Sequence, residues 1–342
     1  MLRAFSTSCS ASAVRCTPVL LRSNSVTPSS SSRRLTPIES VGWLTKQRDA
    51  ARPKCFSSAT ATMYRSSVRV ITVSTQWDIV ILGCGQLGRN LKTQLEIENC
   101  NVLGVRRTPM PEMPNMVACD LDQPETWEWL SQQPLSEQAV VVGIVTPDAR
   151  TEAAYRARYV PAAKRMVEWA RLPGRSHRLV WVSSTAVFGT HQHGVLDEHT
   201  PPEPDHWRGE VILEAETHIA QSKVVHSILR CSGLYTADTL LRLKDSSVRS
   251  NLNPDTVSNR FHREDAVQWL AALVGAHMKR HPMPALVQGV DQCPLQYRDI
   301  FRFLDGEQAT LRAATTGRRL DSCYRDQMPV LRYPSIDAFQ TR

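Results

Sequence analysis

From Trp77 onward, short unbroken apolar runs alternate with longer stretches of helical period. The runs at 78–82, 101–105, 116–119, 140–145, 179–183 and 224–229 are the length of strands, and they are apolar at successive rather than alternate positions. A strand written this way has both faces covered, as in a parallel sheet between helices. Between the runs, residues 86–98, 151–170 and 207–222 carry helical character, with Pro161 expected to kink or break the second. Strands spaced by helices are βαβ units. The fold class predicted is α/β, a Rossmann-type doubly wound parallel sheet with a small C-terminal lobe.

Past Tyr235 the alternation loosens. A helix is expected at 266–278 with Asp265 as its N-cap, a short strand at 285–288, and a further helix from about Tyr297. The division expected is a leader over 1–76, a dinucleotide-binding domain over 77–238, and a smaller lobe over 239–342 that closes over the carboxyl ends of the strands.

Charge changes the picture only once it is located. The 342 residues sum to +8, but residues 1–76 alone sum to +9, which leaves −1 for the rest. A near-neutral body gives no footprint for nucleic acid. The basic leader has no acid before Glu39 and is rich in Ser and Arg, the make-up of an organellar transit peptide. Its opening Met1-Leu2-Arg3-Ala4-Phe5 points to the mitochondrion, with the plastid as the alternative. The nine cysteines include no Cys-x-x-Cys pair, so neither a disulfide framework nor a zinc site is expected. No apolar run approaches the ~18 residues of a membrane span.

The chemistry starts at Gly83-Cys84-Gly85-Gln86-Leu87-Gly88, directly after the first strand and directly before a helix. In a dinucleotide-binding turn, Gly83 would make the tight bend, Gly85 would let the pyrophosphate approach, and Gly88 would let helix and strand pack. The free N–H groups around Gln86 and Leu87 would face the phosphates. Cys84 reads as a small filler. An NAD site of this kind carries Asp or Glu at the end of the second strand. Here the chain has Arg106-Arg107, whose guanidiniums suit a 2′-phosphate and point to NADP rather than NAD.

With these residues placed, the chain resembles an extended short-chain dehydrogenase/reductase of the NAD(P)-dependent epimerase/dehydratase kind. Five further stretches carry the resemblance: Cys119-Asp120-Leu121-Asp122, the run from Val182 to Gly189, Asp197-Glu198-His199-Thr200-Pro201, Leu229-Arg230 with Tyr235, and His262 with Asp265. The resemblance implies that Asp120 and Leu121 flank the adenine and that Ser184 orients a substrate oxygen. It also implies a tyrosine general acid with a lysine four residues on. That pair is absent: Trp207 stands in the tyrosine's place and Val211 in the lysine's, and none of the seven tyrosines has a lysine four residues later. Substitute acids in reach are His206 and Glu210, then His191, His193, Tyr155 and Tyr159. His206, Glu210 and Glu214 share one helix face, which also reads as a plain solvated surface. The position where nucleotide-sugar enzymes of this kind carry an arginine is Ser258, so a nucleotide-diphosphate sugar is not indicated. Two functions remain open: an epimerase/dehydratase-like oxidoreductase with a rearranged acid and an unnamed small-molecule substrate, or a non-catalytic NADP-binding protein with a structural, assembly or redox-sensing role. An organellar protein complex or a homodimer is the partner expected.

Overall fold

The computed structural model describes residues 76–307 and 311–339; the expected leader over 1–76 lies outside the described residues except for Gln76. The first half runs β1 (Trp77–Leu82), α1 (Gln86–Ile97), β2 (Val102–Arg106), β3 (Met116–Ala118), α2 (Pro124–Ser131), β4 (Leu135–Gly143), α3 (Glu152–Ala170), β5 (Arg178–Ser184), β6 (Gly194–Leu196), α4 (Trp207–Ala220) and β7 (His226–Cys231). The second half runs β8 (Gly233–Tyr235), α5 (Ala237–Leu241), α6 (Ser246–Arg249), β9 (Val257–Ser258), β10 (Arg260–His262), α7 (Arg263–Met278), β11 (Leu286–Gly289), β12 (Leu295–Gln296), α8 (Tyr297–Leu304) and β13 (Arg318–Leu320).

Seven strands form one parallel sheet in the order β11-β7-β5-β4-β1-β2-β3. This is the doubly wound Rossmann-type order extended by one strand, and the direction of winding reverses between β1 and β4. The unbroken apolar runs follow from burial on both faces. Successive side chains of a strand point to opposite sides. Ile79 and Ile81 pack with α1 and α7, whereas Val80 and Leu82 pack with α2, α3 and α4. All four are essentially inaccessible to water.

Two expectations need correction, and a third is narrowed: Pro161 does not break its helix. Helix α3 is continuous from Glu152 to Ala170 with Pro161 inside it. Proline in a helix interior costs about 3 kcal/mol, and the flanking Val160, Ala162, Ala163 and Met166 are buried against the sheet and α4. Tertiary packing therefore outweighs the local penalty. Strand β4 begins at Leu135 and ends at Gly143, which frees Ile144 and Val145 from the strand. Helix α7 begins at Arg263, not at 266, and its N-cap is His262, whose ring nitrogen accepts the Glu264 N–H at 3.3 Å. Asp265 instead lies in the first turn, buried, and its carboxylate accepts the backbone N–H groups of Arg332 (2.7 Å) and Tyr333 (3.0 Å).

The sheet takes residues from both sides of the expected 238/239 boundary, because β11 comes from the later segment, as does α7, which packs on it. The remaining C-terminal elements form a satellite core of Tyr235, Leu240, Leu243, Leu295, Ile300 and Ile336. Parallel pairing of β13 with β6 ties the tail back to the stretch after β5.

Candidate functional site

The loop after β1 is shaped by its glycines in different ways. Gly83 has φ of 82°, and a Cβ there would lie inside contact with the Ile144 carbonyl, so only glycine fits. The Gly83 and Cys84 N–H groups donate to the Val105 carbonyl at 3.0 and 2.8 Å, locking the loop to the end of β2. A Cβ on Gly88 would stand 3.2 Å from Ile81 Cγ2 and 3.4 Å from Cys84 Sγ, the close packing of helix on strand. Gly85 differs: the nearest atom to its added Cβ is 3.9 Å away. Protein packing gives no reason for glycine at 85. The position is exposed, and it is the N-cap of α1 with no side chain capping the helix. The first-turn N–H groups at Gln86 and Leu87 thus keep their donors and the helix's partial positive charge for an anion. Gln86 is exposed, while Leu87 is buried in the core. Burial pushes the Cys84 thiol up to about 11, so it stays protonated and packs as a small apolar group.

A cleft of about 160 Å³ opens from this loop at the switch point, between the carboxyl ends of β1 and β4. Gly83 and Gly85 form one side, Arg106 and Arg107 the next, Leu121 and Val145 the apolar wall, with Arg158 behind. Of the residues singled out from sequence, Gly83, Gly85, Arg106, Arg107 and Leu121 therefore meet in one place. Asp120 stands beside it, with its carboxylate 3.4 Å from Arg158.

The charges around the cleft are organised by a residue that sequence reading missed. Arg158 of α3 is buried, and its guanidinium reaches Asp122 at 3.0 Å, Asp120 at 3.4 Å and Asp148 at 3.5 Å. Asp148 also takes the fork of Arg107, with one arm at 2.6 Å. Those hydrogen bonds hold the Asp148 carboxyl below its usual range. Burial raises Asp122, an effect that Arg158 opposes. Arg106 has no carboxylate partner among the described residues, and its guanidinium meets the Met110 sulfur at 3.5 Å. Arg89, on the first turn of α1, approaches the same sulfur at 3.7 Å and keeps a buried Nε without a hydrogen-bond partner. Arg89 and Arg158 come from helices distant in sequence from Arg106, and no motif links them.

The proton-transfer side is differently built. Trp207 opens α4 and packs edge-on against Tyr155, with ring centroids 5.2 Å apart; Tyr155 in turn stacks on Tyr159 at 5.4 Å. Val211 is completely buried. Burial pushes the Tyr159 phenol up to about 12, the wrong direction for an acid working near neutrality. His206 is exposed, and its Nδ1 accepts the Arg208 N–H at 3.1 Å as the N-cap of α4. Glu210 is exposed on the same helix, and Glu214 pairs with Arg156 at 3.1 Å. His191 bonds Glu203 at 3.1 Å on the surface, which raises it, and His193 is exposed. Ser184 ends β5, and its Oγ accepts the Ala186 N–H at 3.2 Å. A Cβ on Gly209 would strike the Ala186 carbonyl, so α4 starts against the turn that follows Ser184.

Two motif stretches carry structural work. Arg230 and Glu216 form a buried pair (2.7 Å for the closest contact) to which Ser183 adds a hydrogen bond at 2.5 Å. Glu198 accepts the Gln288 N–H (2.7 Å), the Ser322 hydroxyl (2.5 Å) and the Cys323 N–H (2.9 Å), clamping the tail to β11. Within the loop from Asp197 to Pro204, Glu198 thereby has a structural role.

The family model described as the RmlD substrate binding domain matches residues 77–281, more than half of the chain. Comparison with curated proteins gives no significant match. Among solved structures, a Methylobacillus flagellatus protein assigned to the NAD-dependent epimerase/dehydratases is 26% identical, with a TM-score of 0.63 over 78% of this chain and 96% of that one. The ADP-L-glycero-D-manno-heptose-6-epimerase of Helicobacter pylori is 14% identical, with a TM-score of 0.57 over 77% and 95%. The UDP-glucose 4-epimerase of Thermotoga maritima, solved with UDP-glucose, is 13% identical, with a TM-score of 0.59 over 77% and 98%. At those identities the two epimerases share the fold alone. The chain belongs to the RmlD substrate binding domain family and has the architecture of the epimerase/dehydratase-like extended short-chain dehydrogenases.

Proposed function

We propose that this chain binds NADP(H) in the cleft at the switch point and holds it without the usual proton-transfer dyad, as a cofactor-binding member of its family in a structural, assembly or redox-sensing role. The observation that carries this reading is the junction, in one cleft, of an uncapped helix N-terminus at Gly85 with the Arg106 guanidinium. Gln86 and Leu87 would take the pyrophosphate through their backbone N–H groups. Arg106, with Arg89 behind it and Arg107 beside it, would take the 2′-phosphate, while Leu121 and Val145 would cover the adenine. A bound nicotinamide would supply hydride transfer. On the protein side, Val211 offers no charge to a ribose hydroxyl, and Trp207 offers no acidic hydroxyl to a carbonyl. Structural neighbours solved with NAD and with UDP-glucose support a nicotinamide nucleotide and a small-molecule ligand for this fold.

Ser184 favours a second reading, an oxidoreductase or epimerase whose acid is supplied from elsewhere, because it ends β5 beside the start of α4. His206 and Glu210 are the acids that reading needs. Titration of the full chain with NADPH and with NADH, followed by nicotinamide fluorescence, separates the cases. Tighter NADPH with no oxidation across a panel of carbonyl compounds supports the first reading, and turnover that is lost in His206→Ala supports the second. Binding of neither nucleotide overturns both. Residues 1–76 are proposed as a mitochondrial leader, and the elements of 239–342 other than α7 and β11 as the lobe that closes on a substrate. Fusing 1–76 to a fluorescent reporter tests the first assignment, since diffuse or plastid fluorescence contradicts it.

A further inference from the structure

The reading of the cleft as an NADP(H) site leaves Arg107 with a conflict. Its guanidinium fork is taken by the Asp148 carboxylate, a planar pair of anionic oxygens in the same bidentate manner that Arg uses for phosphate. Asp148 is itself held from behind by Arg158, which lines the cleft, is buried, and also reaches Asp120 and Asp122. The carboxylate stands two residues beyond Thr146 of the cleft wall and is bound to a second cleft residue. It therefore occupies the fork that a 2′-phosphate would use.

Resting on that reading, we propose that Asp148 is the residue that sets discrimination between 2′-phosphorylated and unphosphorylated adenine nucleotides, by competing with the 2′-phosphate for Arg107. A nucleotide with a free 2′-hydroxyl has no claim on the Arg107 fork and leaves the Arg107–Asp148 pair intact. A 2′-phosphorylated nucleotide must draw Arg107 away from Asp148 and then tolerate that carboxylate as a neighbouring like charge. Arg158 limits this cost because it keeps Asp148 paired from its other side. Asp148 is thus a specificity residue set against the phosphate, and Arg106 is the guanidinium that answers it.

The effect is bounded by exposure. The Arg107 and Asp148 side chains are 44% and 56% exposed, and pairs of that kind are weak and screened by salt. Removing the competitor and the like charge together should tighten a 2′-phosphorylated ligand by about three- to tenfold at low salt.

The test is calorimetric titration of the full chain and its Asp148→Asn variant with 2′,5′-ADP and with 5′-ADP, at two salt concentrations. Asparagine keeps the shape and removes the charge, and a position this exposed leaves folding intact. The proposal expects 2′,5′-ADP to bind the variant three- to tenfold tighter, 5′-ADP to change less than twofold, and the difference to shrink at high salt. Equal binding of 2′,5′-ADP by both proteins overturns it while leaving the cofactor reading in place. Weaker 5′-ADP binding by the variant also overturns it, because Asp148 would then be holding the ribose hydroxyls of an unphosphorylated nucleotide. If neither protein binds either ligand, the cofactor reading fails and the proposal falls with it. Arg107→Ala is the companion measurement: at high salt, where the like charge is screened, it should erase the effect of Asp148→Asn in the double variant, and an effect that survives there overturns the competition.

Discussion

Gly83 and Gly85 are two residues apart and are glycine for different reasons, which makes a paired substitution informative. Alanine at 83 meets a backbone with φ of 82° and a Cβ driven into the Ile144 carbonyl. The left-handed conformation costs about 1–2 kcal/mol, and an overpacked methyl adds about 1–3 kcal/mol. Each kcal/mol moves Tm by about 2–4 °C in a domain of this size, so Gly83→Ala should lower Tm by roughly 4–20 °C. Alanine at 85 meets no atom closer than 3.9 Å, and its φ of −78° is ordinary, although the ψ of −148° lies outside the main α and β regions. Its stability cost should be that backbone term alone, about 1 kcal/mol, with no overpacked methyl added. Yet its methyl would stand above the uncapped first turn of α1, where the phosphates are proposed to sit. Charge-assisted hydrogen bonds are worth about 1.5–3 kcal/mol each, and displacing one of them should weaken NADPH by about ten- to 150-fold. Thermal unfolding and fluorescence titration on the same preparations read both effects. The reasoning is refuted if Gly85→Ala binds NADPH like the parent, or if Gly83→Ala melts within 1 °C of it.

Other expectations follow from the same geometry. Trp207→Tyr restores the phenol without its lysine, since Val211 lies one turn on, so NADPH oxidation should stay at the parent's level; a rise above about tenfold contradicts this. Glu216→Ala strands the buried Arg230 guanidinium and should cost about 3–5 kcal/mol in urea unfolding, with a loss under 1 kcal/mol as the contrary result. Burial holds His177, His262 and His277 down at about 4, so on folding these rings stay neutral where the unfolded chain protonates. Above pH ~6.5 they contribute no pH dependence; as pH falls from ~6.5 toward ~4 stability is lost, about 1–2 kcal/mol per histidine by pH 5. Urea unfolding at pH 7 and pH 5 checks the sign, and a protein that is more stable at pH 5 contradicts it.

The sheet was legible because its strands are buried on both faces, so Ile79 through Leu82 read as one apolar run. Gly83 could be recognised because positive φ and close approach select one residue type. Pro161 does not break α3 because a local penalty of a few kcal/mol is overridden by the packing of the buried residues that flank it. Asp265 misled because its partners, the Arg332 and Tyr333 N–H groups, lie far along the chain and leave no periodic trace. The charge network of the cleft was hidden for the same reason. Arg158 looks like any helix arginine until α3 folds over Asp120, Asp122 and Asp148. The Asp197 to Pro201 stretch was legible only as a family resemblance, and the part of Glu198 in clamping Gln288, Ser322 and Cys323 depends on residues far along the chain.

The most direct test of the account is a crystal structure of the full chain grown with NADPH. The account predicts the pyrophosphate on the backbone N–H groups of Gln86 and Leu87, the 2′-phosphate on Arg106, and Trp207 and Val211 offering no hydrogen bond to the nicotinamide ribose. Nucleotide bound away from the Gly83–Gly88 loop, or a 2′-phosphate out of reach of Arg106, would contradict it.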